Sequence, residues 1–404
     1  MMERESLKTV LAIVITIIAA ACSVPPATAS PTVSAPATVA VSSQPTPSAT
    51  KPAPWTELRW SAPVLIPNGD AINQVASWKD GYIAAGQTTD GGAYIGGLFA
   101  SPDGVNWQRT AIVPLGPALV DTDTRAVAIV TTGRDSAPRV QTWASSDGLT
   151  WQPQDALAIV GATIDHLAAR GSTIVGIGTD SAGHAAVWRS IDGAAWIRGD
   201  PPSGQAIVRD AFAVRDGFVA LGREGDPDVA SGGVGVRGVG LPAAWWSADG
   251  RGWTALQVEG KPAAGAQLLQ LFSVSDGYFA VGSDTTDPSV NARSALIWLS
   301  TDARSWRLLG PPPYTGPAGA NGERAVYFAP SSTGARGLEA QLTQDGRQWV
   351  PLPFSGDLAD IPNVPGFTQG AAQLDQVFVM AHGIIVTGQQ SGRAVAWFAD
   401  AEPR

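Results

Sequence analysis

One heptad occurs six times along the 404-residue chain, and it limits the possible folds more than any other feature. The copies are Ser101-Pro102-Asp103-Gly104-Val105-Asn106-Trp107, Ser145-Ser146-Asp147-Gly148-Leu149-Thr150-Trp151, Ser190-Ile191-Asp192-Gly193-Ala194-Ala195-Trp196, Ser247-Ala248-Asp249-Gly250-Arg251-Gly252-Trp253, Ser300-Thr301-Asp302-Ala303-Arg304-Ser305-Trp306 and Thr343-Gln344-Asp345-Gly346-Arg347-Gln348-Trp349. Asp and Trp are always four apart; the fifth copy has Ala303 for Gly and the sixth Thr343 for Ser. These residues suit a tight corner between strands. The carboxylate accepts backbone N–H groups, Gly supplies a positive φ, and Trp packs its apolar face inward. The six aspartates therefore read as turn anchors and the six tryptophans as core.

A second motif precedes the boxes. Val75 to Gly86 (VASWKDGYIAAG), Phe212 to Gly222 (FAVRDGFVALG) and Phe272 to Gly282 (FSVSDGYFAVG) are pairs of short apolar strands around an Asp-Gly turn. Leu167 to Gly178 and Val377 to Gly388 are weaker copies; Val127 to Gly133 and Ala325 to Pro330 are degenerate ones. A third strand leads into each box and a fourth follows its Trp. Asp-to-Asp spacings of 44, 45, 57, 53 and 43 residues fit four-stranded propeller blades. Counting the two-strand motif gives a seven-bladed all-β ring, with six blades the competing count. The seventh unit ends near Asp400 without a box, and Trp55–Leu58 resembles the strand that follows one. The expectation is that this N-terminal strand completes the blade begun by the C-terminus and leaves no open edge.

The segment before residue 55 is different. Val10 to Ala21 is apolar except for Thr16. Twelve residues fall short of the roughly 20 that span a bilayer and fit a signal-peptide core. Ala19-Ala20-Ala21-Cys22 places the only cysteine where it resembles the lipobox of bacterial lipoproteins. That resemblance implies removal of residues 1–21 and acylation of Cys22, holding the protein outside the cytoplasm on a membrane; an ordinary signal peptide is the alternative. Residues 22–54, rich in Pro, Ala, Ser and Thr, read as a disordered spacer, and 55–404 as the propeller.

The heptad resembles the Asp-box, or BNR, repeat of sialidase-like propellers. That resemblance implies that all boxes lie on one rim, between the third and fourth strands, with variable connectors on the other. The longest connector runs from Arg223 to Ala243. Arg223, Glu224, Asp226, Asp228, Arg237, Trp245 and Tyr314 are the candidates for a binding rim, Trp245 as a sugar platform. The sialidase arginine, tyrosine and glutamate set is not recognisable. Leu65 stands where its first Arg would, and neither Tyr94 nor Tyr314 has an adjacent Glu, although Glu323 could approach in space. Paired carboxylates among Asp226, Asp228, Asp357 and Asp360 keep a glycosidase as the alternative. The leading expectation is a non-catalytic module that binds protein or carbohydrate.

Net charge of −9 offers no field for nucleic acid. Three His and one Cys cannot form a His/Cys zinc cluster or an internal disulfide. Asp121-Thr122-Asp123 and Asp226-Pro227-Asp228 are weak candidates for Ca²⁺, and no cofactor or metal is expected. His166, His184 and His382 read as ordinary strand or turn residues. A monomer is expected.

Overall fold

The computed structural model describes residues 55–403 apart from 68–70, 133–137, 155–158, 160, 183, 203–205, 226–239, 261–265, 285–293, 312–316, 331–337, 357–372, 382 and 391–392. The apolar N-terminal segment, Cys22 and the spacer lie outside these residues. So do Asp226, Asp228, Arg237, Tyr314, Asp357, Asp360 and His382.

The described chain is all-β and forms a seven-bladed propeller of antiparallel four-stranded blades. Blade 1 is Ala71–Trp78, Gly81–Asp90, Ala93–Ser101 and Gln108–Val113. Blade 2 is Ala118–Asp121, Ala126–Thr132, Arg139–Ser145 and Gln152–Pro153. Blade 3 is His166–Arg170, Thr173–Thr179, Ala185–Ser190 and Trp196–Arg198. Blade 4 is Ala206–Val214, Gly217–Gly225, Gly240–Ser247 and Thr254–Ala255. Blade 5 is Gln267–Val274, Gly277–Asp284, Ser294–Ser300 and Ser305–Gly310. Blade 6 is Ala318–Ala320, Ala325–Pro330, Leu338–Thr343 and Val350–Pro351. Blade 7 takes Gln373–Val379, Gly383–Gln390 and Arg393–Pro403 from the C-terminus and its outer strand, Trp55–Trp60, from the N-terminal end of the described chain.

The closing register runs antiparallel from Trp55 opposite Pro403 to Trp60 opposite Ala399. Six blades turn at a box where this one joins two ends of the chain. Val64–Leu65 pairs further along the same C-terminal strand, opposite Ala396 and Val395. Two additions are not legible as repeats. Gln257–Glu259 lies parallel along the outside of blade 5, and Phe354–Gly356 parallel along Trp55–Trp60. Each is an exit segment of the preceding blade that covers an edge otherwise open to pairing.

The core lies between blades. Trp245, Trp298, Trp306 and Trp397 are among its largest fully buried side chains. Burial of such a ring stabilises by about 1.5–3 kcal/mol, before the gain from interdigitated packing.

The boxes pin these seams. In blade 1, Asp103 Oδ1 accepts the N–H groups of Val105 (2.9 Å) and Asn106 (2.8 Å), and Gly104 N–H donates to Ser101 Oγ (2.9 Å). Trp107 Nε1 donates to the Gly104 carbonyl at 3.0 Å. Gly250 has φ +81°, and a Cβ there would stand 2.3 Å from Val175 Cγ2 on blade 3. Gly104, Gly148 and Gly193 press likewise on Ile385, Ile83 and Val127 of the preceding blade. At these four positions the turn favours glycine and the close approach leaves no room for a Cβ. Ala303 holds the same left-handed conformation at φ 60° without being glycine. Four of the box tryptophans, Trp107, Trp151, Trp196 and Trp306, are buried, while Trp253 and Trp349 are half-buried.

Candidate functional site: the central channel

The first strand of each blade ends its sheet, so seven strand edges surround the axis. Their outward backbone N–H and C=O groups have no neighbouring strand. Between them lies a cavity of about 660 Å³, within the size range of small-ligand sites. Its wall includes Ala76, Ala169, Ala213 and Ala320, which let a ligand approach the backbone, with Leu119, Phe212, Val377 and Phe378 as larger apolar surfaces.

These inner strands all run from the connector rim toward the box rim. Polar groups therefore sort by their position along them. Toward the box rim are Ser77, Asp121, Asn321 and Glu323. Burial pushes the Asp121 carboxyl up, and the charge of Asp123 adds to this. Arg324 Nη2 donates to Glu323 Oε2 at 3.1 Å. Among the described residues the lining holds no Arg, Lys or Tyr, and no group of three His, Cys, Asp or Glu side chains could hold a metal ion.

On the connector side, at the level of Gln74, two titratable side chains from adjacent blades meet. His166 Nδ1 of blade 3 stands 3.4 Å from Asp210 Oδ1 of blade 4, with side chains 47% and 27% exposed. Asp210 follows a bulge at Arg209 and accepts the Ala211 N–H at 2.7 Å. Burial raises its pKa to about 6, against the opposing pull of His166. Arg209 turns the other way, its Nε donating to Gln267 Oε1 of blade 5 at 3.1 Å.

Sequence reasoning missed this couple. His166 reads there as an ordinary strand residue, and Asp210 attracts no notice. Aligning the inner strands by register exposes it. The residues opposite Ala85, Ile129, Ile177, Leu221, Val281 and Thr387 are Gln74, Ala118, His166, Asp210, Gln270 and Gln376. Pro317, whose carbonyl accepts the Phe328 N–H, holds this level in blade 6. Two adjacent blades are thus titratable where the others are neutral.

The expected binding rim is corrected in part. Trp245 is no sugar platform: it is 1% exposed and packs in the core, because the third strand of blade 4 turns it into the sheet interior. Arg223 is also buried, at 4% exposed, on the second strand of that blade, where it faces Pro242 and Ile207 in register. Glu224 beside it is exposed. Tyr94 is 75% exposed on the connector side of blade 1, and Leu65 is 53% exposed, both away from the cavity lining. A smaller cleft of about 340 Å³ on the box rim joins Asp276, Arg307, Asp345 and Arg347 of blades 5 and 6.

No family model matches the chain. No curated protein sequence matches it either. Solved structures do. An ulvan lyase, from a new family of polysaccharide lyases, superimposes with a TM-score of 0.50 at 11% identity over 85% of this chain and 96% of its own. The β-propeller domain of the Trilobed protease from Pyrococcus furiosus aligns with a TM-score of 0.45 at 9% identity, covering 86% and 97% of the two chains. A Trypanosoma rangeli sialidase aligns with a TM-score of 0.41 at 11% identity over 70% of this chain. The alignment spans only 54% of that sialidase. At such identities the shared feature is the propeller fold.

Proposed function

We propose that this protein is a surface-anchored binding propeller that engages a glycan at the connector rim and the mouth of its central channel. The observation that carries the reading is the channel itself. Apart from groups already bonded, as at Leu119, strand edges offer backbone donors and acceptors side by side, and small side chains leave them accessible. Sugar hydroxyls both donate and accept, which matches such a wall better than a ligand of one polarity does. Acylation of Cys22, followed by the Pro-rich 22–54 spacer, would hold the ring on a membrane. The chain enters the ring at Trp55, on the box side, which supports leaving the connector rim free for the ligand.

The test is a glycan array and a pull-down with residues 51–404, a compact unit on their own. Retention of a defined set of glycans supports the reading; retention of none, with the unit folded, refutes it. Glycan cleavage is the second reading, favoured by one observation. A carboxyl with a pKa near 6 beside an imidazole, each one residue before a residue that lines the cavity (Ala211 and Leu167), fits an acid–base group. New reducing ends in array-positive glycans would establish it.

A further inference from the structure

We infer that His166 and Asp210, meeting across the seam between blades 3 and 4, form a proton-linked contact for a ligand hydroxyl at the connector-side edge of the channel. The inference rests on the glycan-binding reading and adds its regulation.

The comparison among blades carries it. A propeller asks the same packing of each inner strand seven times over. Blade 1 meets that demand at this level with a neutral amide. Gln74 Nε2 donates to the Leu119 carbonyl at 2.6 Å, and its Oε1 accepts the Leu119 N–H at 2.9 Å, stitching blade 1 to blade 2. Gln270 and Gln376 occupy the same level in blades 5 and 7. A titratable couple is therefore not what the seam requires. Asp210 is also poorly provided for, with one backbone N–H from Ala211 and an imidazole at 3.4 Å. A half-buried carboxylate in that state gains from any further donor that reaches it.

The charged surroundings leave Asp210 to His166. On its own strand Arg209 turns away to Gln267. On the paired strand, Arg223 and Glu224 lie opposite Ile207 and Ala206, further toward the connector rim. Arg170 on the strand of His166 reaches the Arg215 carbonyl near the box rim at 2.8 Å, and Arg189 reaches the Asp249 carbonyl at 2.9 Å. The strands Thr173–Thr179 and Gln267–Val274 contribute no titratable side chain. Asp165, just before His166, accepts from Thr163 Oγ1 at 2.7 Å.

The direction follows from linkage. A ligand hydroxyl donates best to the ionised carboxylate, so binding holds Asp210 ionised and tightens as pH rises through about 6. A ligand that lowers the pKa by one unit binds the ionised form about tenfold tighter.

The experiment measures glycan-array affinity of the full chain at about pH 5.0 and about pH 7.0 (settings about one unit either side of the transition), for wild type, Asp210→Asn and His166→Gln. Wild type is expected to bind about fivefold tighter at the higher pH, the share of a tenfold preference that falls between these two settings. Asp210→Asn should lose that dependence. His166→Gln, by removing the group that pulls the carboxyl down, should move the midpoint upward. Thermal melts give a readout that needs no ligand. Because the folded-state pKa lies above the ordinary value, Asp210 makes the fold less stable as pH rises from about 4 to about 6. Asp210→Asn should remove that fall and raise Tm at the higher pH by about 2–4 °C. Binding that is independent of pH in wild type, or that stays pH-dependent in Asp210→Asn, overturns the inference while leaving glycan binding intact. Failure of folded wild type to bind any glycan at either pH overturns both.

Discussion

On the box rim, Asp103 and Asp192 each sit in a turn that their own neighbours complete; beside the channel, Asp210 has one N–H and a histidine. Their acidities diverge accordingly. Burial opposes ionisation of Asp103, yet the donors of Asn106, Val105 and Ser101 prevail and hold its pKa at about 2. Asp147 is held below the ordinary range by the N–H groups of Thr150 and Leu149 and the Ser145 hydroxyl. Asp192 and Asp302 are lowered as well, burial again being outweighed by donors of their own turns. At Asp210 burial wins. A carboxylate in a turn that the fold depends on is supplied with donors by that turn. One left short of donors at the edge of a cavity is available to something else.

The rims differ in stitching as well. Lys79 Nζ donates to the Ser146 carbonyl at 2.6 Å, and Arg125 Nη1 to the Asp192 carbonyl at 3.4 Å, each crossing to the box of the next blade. Arg304 pairs with Asp216 across the next seam but one and lies 4.0 Å above the Trp246 ring. The box rim is spent on holding blades together.

Substitutions can break this contrast. Trp306→Ala, at a box tryptophan 1% exposed, should destabilise the fold by about 3–5 kcal/mol in denaturant unfolding. An effect below about 1 kcal/mol would mean that the boxes do not anchor the seams. Gly250→Ala forces a strained φ and a clash with Val175, with an expected loss of about 2–4 kcal/mol. Asp147→Ala removes the acceptor for two backbone N–H groups and should cost about 1–2 kcal/mol. Acid sharpens the comparison. Asp103, Asp147, Asp192 and Asp302 have folded pKa values below the ordinary 4 or so, so their stabilisation is present above that pH and is lost as pH falls toward about 2. Tm should drop over that window, less steeply in Asp147→Asn than in wild type. The smallest effect belongs to the channel side. Arg209→Ala, at an exposed position, should change stability by no more than about 0.5 kcal/mol.

Much of the fold is legible in the residues because the repeat is local. Ser-x-Asp-Gly-x-x-Trp specifies its corner through bonds spanning two or three residues, so six corners can be read one at a time. The closure by Trp55–Leu58 was readable as well, since a strand following a missing box must find a partner. Its full extent to Trp60, and the parallel strands Gln257–Glu259 and Phe354–Gly356, depend on which edges the ring leaves open. Trp245 shows the limit on the other side. Its place beside a long connector suggested exposure, but side chains alternate along a strand, and the sheet's orientation sent it inward.

By itself, then, the amino-acid order determined a run of similar units, the corners that end six of them and the strand that joins first to last, because each is set by short-range bonding and spacing; the ring fixed their number at seven. Only the closed ring decided that His166 and Asp210, 44 positions apart, would face one another. Their meeting depends on the register of two neighbouring inner strands and a bulge at Arg209, and no local pattern encodes contacts made across a seam between blades.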